Sequence, residues 1–151
     1  MKTKFVNAII FKDFDSNPFF GNLIVEDEKI VYVGEANDTF ADRVIDAKHN
    51  IIMPSFVCGN ICGAASIFSE ISSKIKDYNY DINRLESKLV GTDVYYGTLH
   101  SAKELVKSGI TAVGDNYIFP DYVAKAYADA GIRAVVGVNE IYSKTKFLKE
   151  K

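Results

Sequence analysis

The chain has 151 residues, 48% of them hydrophobic and 25% charged, with a formal net charge of −2. These are the proportions of an ordinary globular domain. They offer no electrostatic case for binding nucleic acid or an anionic membrane, and no apolar run approaches the ~18 residues of a membrane-spanning helix.

Residues 4–11 read as a first strand. The apolar run behind Met1 and Lys2 meets Lys12, Asp13 and Asp15 with no small-residue cleavage site. It therefore predicts a strand of a cytoplasmic protein and not a signal peptide. Asp13, Asp15, Ser16, Asn17 and Pro18 predict an exposed loop. Residues 21–26 and 29–34 predict two strands joined by a tight hairpin at Asp27 and Glu28. Residues 43–47 predict a further short strand, followed by a turn at Lys48, His49 and Asn50.

The stretch from Ile51 to Ser66 then reads as a buried strand over 51–59 running into a turn of small residues. Pro54 lacks a backbone donor and marks an entry or an edge. Regular alternation would put Cys58, Asn60 and Cys62 on one face. Residues 67–71 predict a helical turn, and 72–83 a loop or irregular helix. The clearest helix is 92–108, with Thr92 as its cap, Asp93 in its first turn and Gly109 as its stop. Its expected apolar stripe is Tyr95, Leu99, Ala102 and Val106. A strand at 110–115, a helix at 121–130 stopped by Gly131, and a strand at 132–138 follow. This β-α-β-α-β order predicts parallel strands with right-handed crossovers. Lys144, Lys146, Lys149 and Lys151 read as a solvated end.

The 51–66 stretch resembles the first barrel strand of the amidohydrolase superfamily, in its cytosine-deaminase-like and chlorohydrolase-like branch. Pro54, Phe56, Val57, Ala64, Ala65 and Ser66 stand where that pattern wants them. The two histidines that serve the family as strand-one metal ligands are replaced by Asn60 and Cys62. The resemblance runs nearly continuously from Asn7 to Gly137. It is strongest over residues 94–99, 107–111 and 130–135. It implies an α/β architecture: a partial β-sandwich over 1–53, then an incomplete (β/α) barrel segment of about two β/α units over 54–151. A complete barrel needs at least about 200 residues.

The family's chemistry, as the resemblance implies it, is metal-dependent hydrolysis of carbon–nitrogen or carbon–halogen bonds in heterocycles. Zinc or iron lowers the pKa of a bound water there. Asn60 is a weak neutral ligand and Cys62 a single thiol. No catalytic residue, bound cofactor or metal ligand is therefore expected, and Asn60 and Cys62 count as degenerate ligand positions. A zinc site from Cys58 and Cys62 would need two more ligands, and only His49 and His100 offer imidazoles. Neither histidine is placed by the sequence beside a cysteine, so an activated nucleophile is not supported either. Asp115 reads as a vestigial substrate-face residue or as a structural carboxylate. The glycines form no phosphate loop. The expected partners are a second copy of the chain or a complementary chain, with no nucleic acid and no membrane.

Overall fold

The computed structural model describes residues 1–13, 15–35, 37–72, 82 and 84–138. They divide into two compact units, Met1–Pro54 and a second that begins at Ser55. No helix among them is long and apolar enough to cross a membrane.

The first unit is a mixed sheet in the order β3-β2-β1-β4, built from β1 (Lys2–Ile10), β2 (Phe19–Glu26), β3 (Lys29–Gly34) and β4 (Arg43–Asp46). The hairpin at Asp27 and Glu28 is present, closing on the pair Glu26 and Lys29. β4 and the two-residue β5 (Ile51–Ile52) both run parallel to β1, one behind the other. The shift between them falls at an irregularity in β1, where Asn7 has φ 56°. Asparagine is among the few residues that tolerate this region, because its short side chain can bond locally. Here its Nδ2 donates to Asp46 Oδ1 at 3.1 Å, and its carbonyl accepts the His49 N–H at 2.8 Å.

Alternation then sorts the side chains. One face collects Ala8, Ile10 and Leu23, with Phe5, Val25, Val33 and Ile52 packed against them. That face borders an apolar cavity of about 540 Å3. The opposite face buries Ile24, Asn22 and Lys4. The Lys4 ammonium donates to the Asn37 carbonyl, which offsets part of its loss of water.

The second unit is a parallel sheet of β6 (Phe56–Ile61), β7 (Ile110–Tyr117) and β8 (Arg133–Val138), in that order. A 3-10 helix (Gly63–Phe68) continues into α1 (Ser69–Ser72). α2 (Gly91–Lys107) precedes β7, and α3 (Pro120–Ala130) joins β7 to β8. The expected parallel β-α-β-α-β order is thus present. Its core is Ala64, Val94, Ala102, Leu105, Val113, Tyr117, Val123, Tyr127 and Ile132.

Four local expectations change. The single strand predicted over 51–59 is two strands, β5 in the first sheet and β6 in the second, separated at Met53, Pro54 and Ser55. Pro54 has no N–H to offer either ladder. Cys58, Asn60 and Cys62 do not share a face. Cys58 pairs with Val113 and Ile61 with Asp115, so three steps on β6 match two on β7. This bulge turns Cys58 and Ile61 both toward the core and leaves Asn60 exposed.

α2 begins one residue early. Asp93 rather than Thr92 serves its end, its Oδ2 accepting the Val90 N–H at 3.0 Å. Its buried face is Val94, Gly97, Thr98, Ser101, Ala102 and Leu105, while Val106 is 52% exposed. The stripe read from apolar spacing was rotated because the closest contact is made by small residues. A Cβ on Gly97 would lie 2.6 Å from the Ala64 carbonyl oxygen. The Ser66 hydroxyl also donates to the Gly97 carbonyl at 2.9 Å, so the 3-10 helix rests directly on the α2 backbone.

Along β7, Val113 lies on the helix side at 4% exposure, together with Asp115 and Tyr117. α3 begins at Pro120, whose missing N–H costs nothing in the first turn, and ends at Gly131 with φ 72°. Most of the expected 72–83 loop, and all four terminal lysines, lie outside the described residues.

Candidate active-site face

In a parallel β/α arrangement the chemistry-bearing positions gather at the C-terminal ends of the strands. Here that end holds Asn60 at the close of β6, Cys62 just beyond it, and Asp115, Asn116 and Tyr117 at the close of β7. Asn60, Cys62 and Asn116 are exposed, whereas Asp115 and Tyr117 are buried.

Cys62 precedes the 3-10 helix, and its Sγ donates to the Asn116 carbonyl at 3.5 Å. Partial burial pushes its thiol pKa up, and the negative charges of Asp115 and Glu86 push it further. A thiol binds a metal or attacks a substrate as its anion, so this surrounding works against both roles. Cys58 is half-buried in the core, its Sγ directed to the Asn60 carbonyl at 3.6 Å. His49 belongs to the first unit, with its ring 5.3 Å from that of Phe20. His100 is exposed on α2. Among the described residues no group of three or more His, Cys, Asp or Glu side chains is arranged to hold a metal ion. A weak neutral amide and a single thiol do not replace the two imidazoles that the resemblance implies for a divalent ion, and no step is derived through one.

Asp115 is 2% exposed. Its Oδ2 accepts the Gly63 N–H at 3.0 Å and the Tyr127 hydroxyl at 2.7 Å. Its Oδ1 has no partner among the described residues. Desolvation, and then the adjacent carboxylate, raise the Tyr127 phenol pKa, so it remains a donor. Beside them the Tyr117 hydroxyl donates to Glu86 Oε1 at 2.7 Å. Reading the sequence singled out Asp115, and Gly63 as one of the small residues that leave room for close backbone approach, but missed Tyr127 and Glu86. A tyrosine in an amphipathic helix and a glycine in a small-residue run carry no local sign that they meet across the fold.

A strand-rich unit followed by parallel β/α units, with its polar positions at the strand ends, is the layout of part of a β/α barrel. No family model matches the chain. It is 34% identical over 131 residues to 5'-deoxyadenosine deaminase of Methanosarcina barkeri, covering 83% of this chain and 30% of that protein. It is 36% identical over 119 residues to 5-methylthioadenosine/S-adenosylhomocysteine deaminase of Thermoanaerobacter pseudethanolicus, covering 76% of this chain and 28% of that one. Among solved structures it resembles an amidohydrolase from a Sargasso Sea environmental sample, with a TM-score of 0.71 at 15% identity over 94% of this chain and 36% of that one. It also resembles the zinc complex of atrazine chlorohydrolase from Arthrobacter aurescens TC1, with a TM-score of 0.67 at 18% identity over 89% of this chain and 35% of that one. These two likenesses show the fold. The chain belongs to the amidohydrolase superfamily. It spans about 30% of the length of the curated relatives it matches.

Proposed function

We propose that this chain performs no metal-dependent hydrolysis by itself. Its role in this reading is that of a scaffold, the strand-rich unit and first β/α units of a deaminase-like amidohydrolase. The observation that carries this is the pair Asn60 and Cys62, an amide and a single thiol, at the positions where the resemblance wants two imidazoles. A cytoplasmic location fits the run at residues 5–10, which lies within strand β1.

The purified chain is accordingly expected to hold no zinc or iron after a chelator wash, measured by elemental mass spectrometry. It is expected to release no ammonia from 5'-deoxyadenosine or 5-methylthioadenosine. The double substitution Asn60→His, Cys62→His should not create that activity, because two ligands leave a hydrolytic site incomplete. About one bound metal per chain, or ammonia release by either form, would overturn the reading.

The open sheet favours a partner. On the described residues β6 and β8 each have one neighbour, so each presents an unpaired backbone edge. Val57 is 70% exposed and Val135 78% exposed. Burying apolar surface contributes about 25 cal/mol per Å2, and a symmetric dimer is the simplest closed way to do it. Light scattering at micromolar concentration should report twice the 16.8 kDa chain mass. A monomer that binds no hydrophobic dye would end this idea. A monomer that does bind the dye would instead support a complementary chain as the partner.

A further inference from the structure

We infer that Asp115 is a positioning residue: its buried carboxylate holds the turn after β6 in place, and so sets where Asn60 and Cys62 stand. The inference is independent of whether the chain hydrolyses anything.

Three pieces of chain meet at one oxygen. Asp115 comes from β7, Tyr127 from α3, and the Gly63 N–H from the start of the 3-10 helix, 52 residues before Asp115 in sequence. Alternation along β7 places Asp115 with Val113 and Tyr117 on the helix side, away from the sheet's open face. Its route to the strand ends therefore runs through backbone.

Gly63 is what makes the contact attainable. A Cβ there would lie 2.4 Å from the Tyr127 hydroxyl, 2.9 Å from Asp115 Oδ2 and 3.4 Å from Ser101 Oγ. Without a side chain, the backbone moves in far enough for its N–H to reach the carboxylate. Cys62 is the residue just before that N–H. Its thiol meets the Asn116 carbonyl, just after Asp115, so two adjacent residues of the turn are tied to two adjacent residues of β7. A bond to a carboxylate acceptor is roughly twice as strong as one between neutral groups, and a buried one is shielded from competing water.

The test is amide hydrogen exchange by NMR on the full chain, with Asp115→Ala, Asp115→Asn and Tyr127→Phe compared. In Asp115→Ala the Gly63 amide should exchange about tenfold faster or more, while the Ala102 and Leu105 amides of α2 change by less than about twofold. Asp115→Asn keeps a carbonyl acceptor and should restore most of the protection. It should also shift the Gly63 amide proton resonance upfield, since the acceptor has lost its charge. Tyr127→Phe should leave the Gly63 amide protected.

Unchanged Gly63 exchange in Asp115→Ala would overturn the assignment. So would an equal acceleration of every amide in the unit, which would make Asp115 a residue of general stability. Should Asp115→Ala fail to fold, Asp115→Asn decides alone: an unmoved Gly63 amide resonance would refute the contact.

Discussion

Tyr127→Ala is expected to destabilise the second unit by about 3–5 kcal/mol, a large share of the roughly 5–15 kcal/mol that holds an ordinary domain folded. Tyr127 is fully buried and lies in the core cluster with Val94, Val113, Val123 and Ile132. Truncation removes an aromatic ring from a site walled by a sheet and a second helix, which collapse poorly around the gap. It also removes the hydroxyl from Asp115 Oδ2, whose partner Oδ1 already has no bond among the described residues. Tyr127→Phe separates the two losses. It keeps the ring and should cost about 1–3 kcal/mol for the carboxylate left short of a donor. Urea denaturation followed by circular dichroism measures both. If the alanine form lost less than about 1 kcal/mol, Tyr127 would not be a central packing residue.

Gly97→Ala should also destabilise, by about 1–3 kcal/mol, although helix propensity argues the other way. Alanine in a helix interior is favoured over glycine by about 0.5–1 kcal/mol. At Gly97 the new methyl would lie 2.6 Å from the Ala64 carbonyl oxygen and 2.7 Å from Ile67 Cγ2. Ile67 is a side chain and could turn aside, but the carbonyl belongs to the 3-10 helix backbone and moves only with it. Overpacking against backbone therefore outweighs the propensity gain. A thermal melt should show a lower Tm. Tyr96→Ala, at a neighbouring residue that is 69% exposed, should change it little. A raised Tm for Gly97→Ala would mean that the 3-10 helix shifts freely.

The hairpin at Asp27 and Glu28, the β-α-β-α-β order and the stop at Gly131 were legible because each is specified within a few residues. Turn residues, apolar period and a glycine at a helix end act locally, whatever the rest of the chain does. The irregularity in β6 was not legible. Residues 56–61 alternate acceptably, and only pairing with β7 reveals the extra residue that separates Cys58 from Asn60. The buried face of α2 was misread for a related reason. Apolar spacing favours Tyr95 and Val106, but the distance of closest approach is set by whichever residues are smallest, here Gly97 and Ser101.

The sequence by itself determined the superfamily, the element order and the replacement of two imidazoles by Asn60 and Cys62. Those are matters of residue identity and short-range pattern. Only the tertiary structure decided that Asp115 is enclosed by Gly63 and Tyr127, that Cys62 lies within the field of Asp115 and Glu86, and that Val113 faces helices while Val135 faces outward. Each of these depends on which distant residues share a neighbourhood. Hydrogen bonding, desolvation and charge act over a few ångströms of space, whatever the separation along the chain.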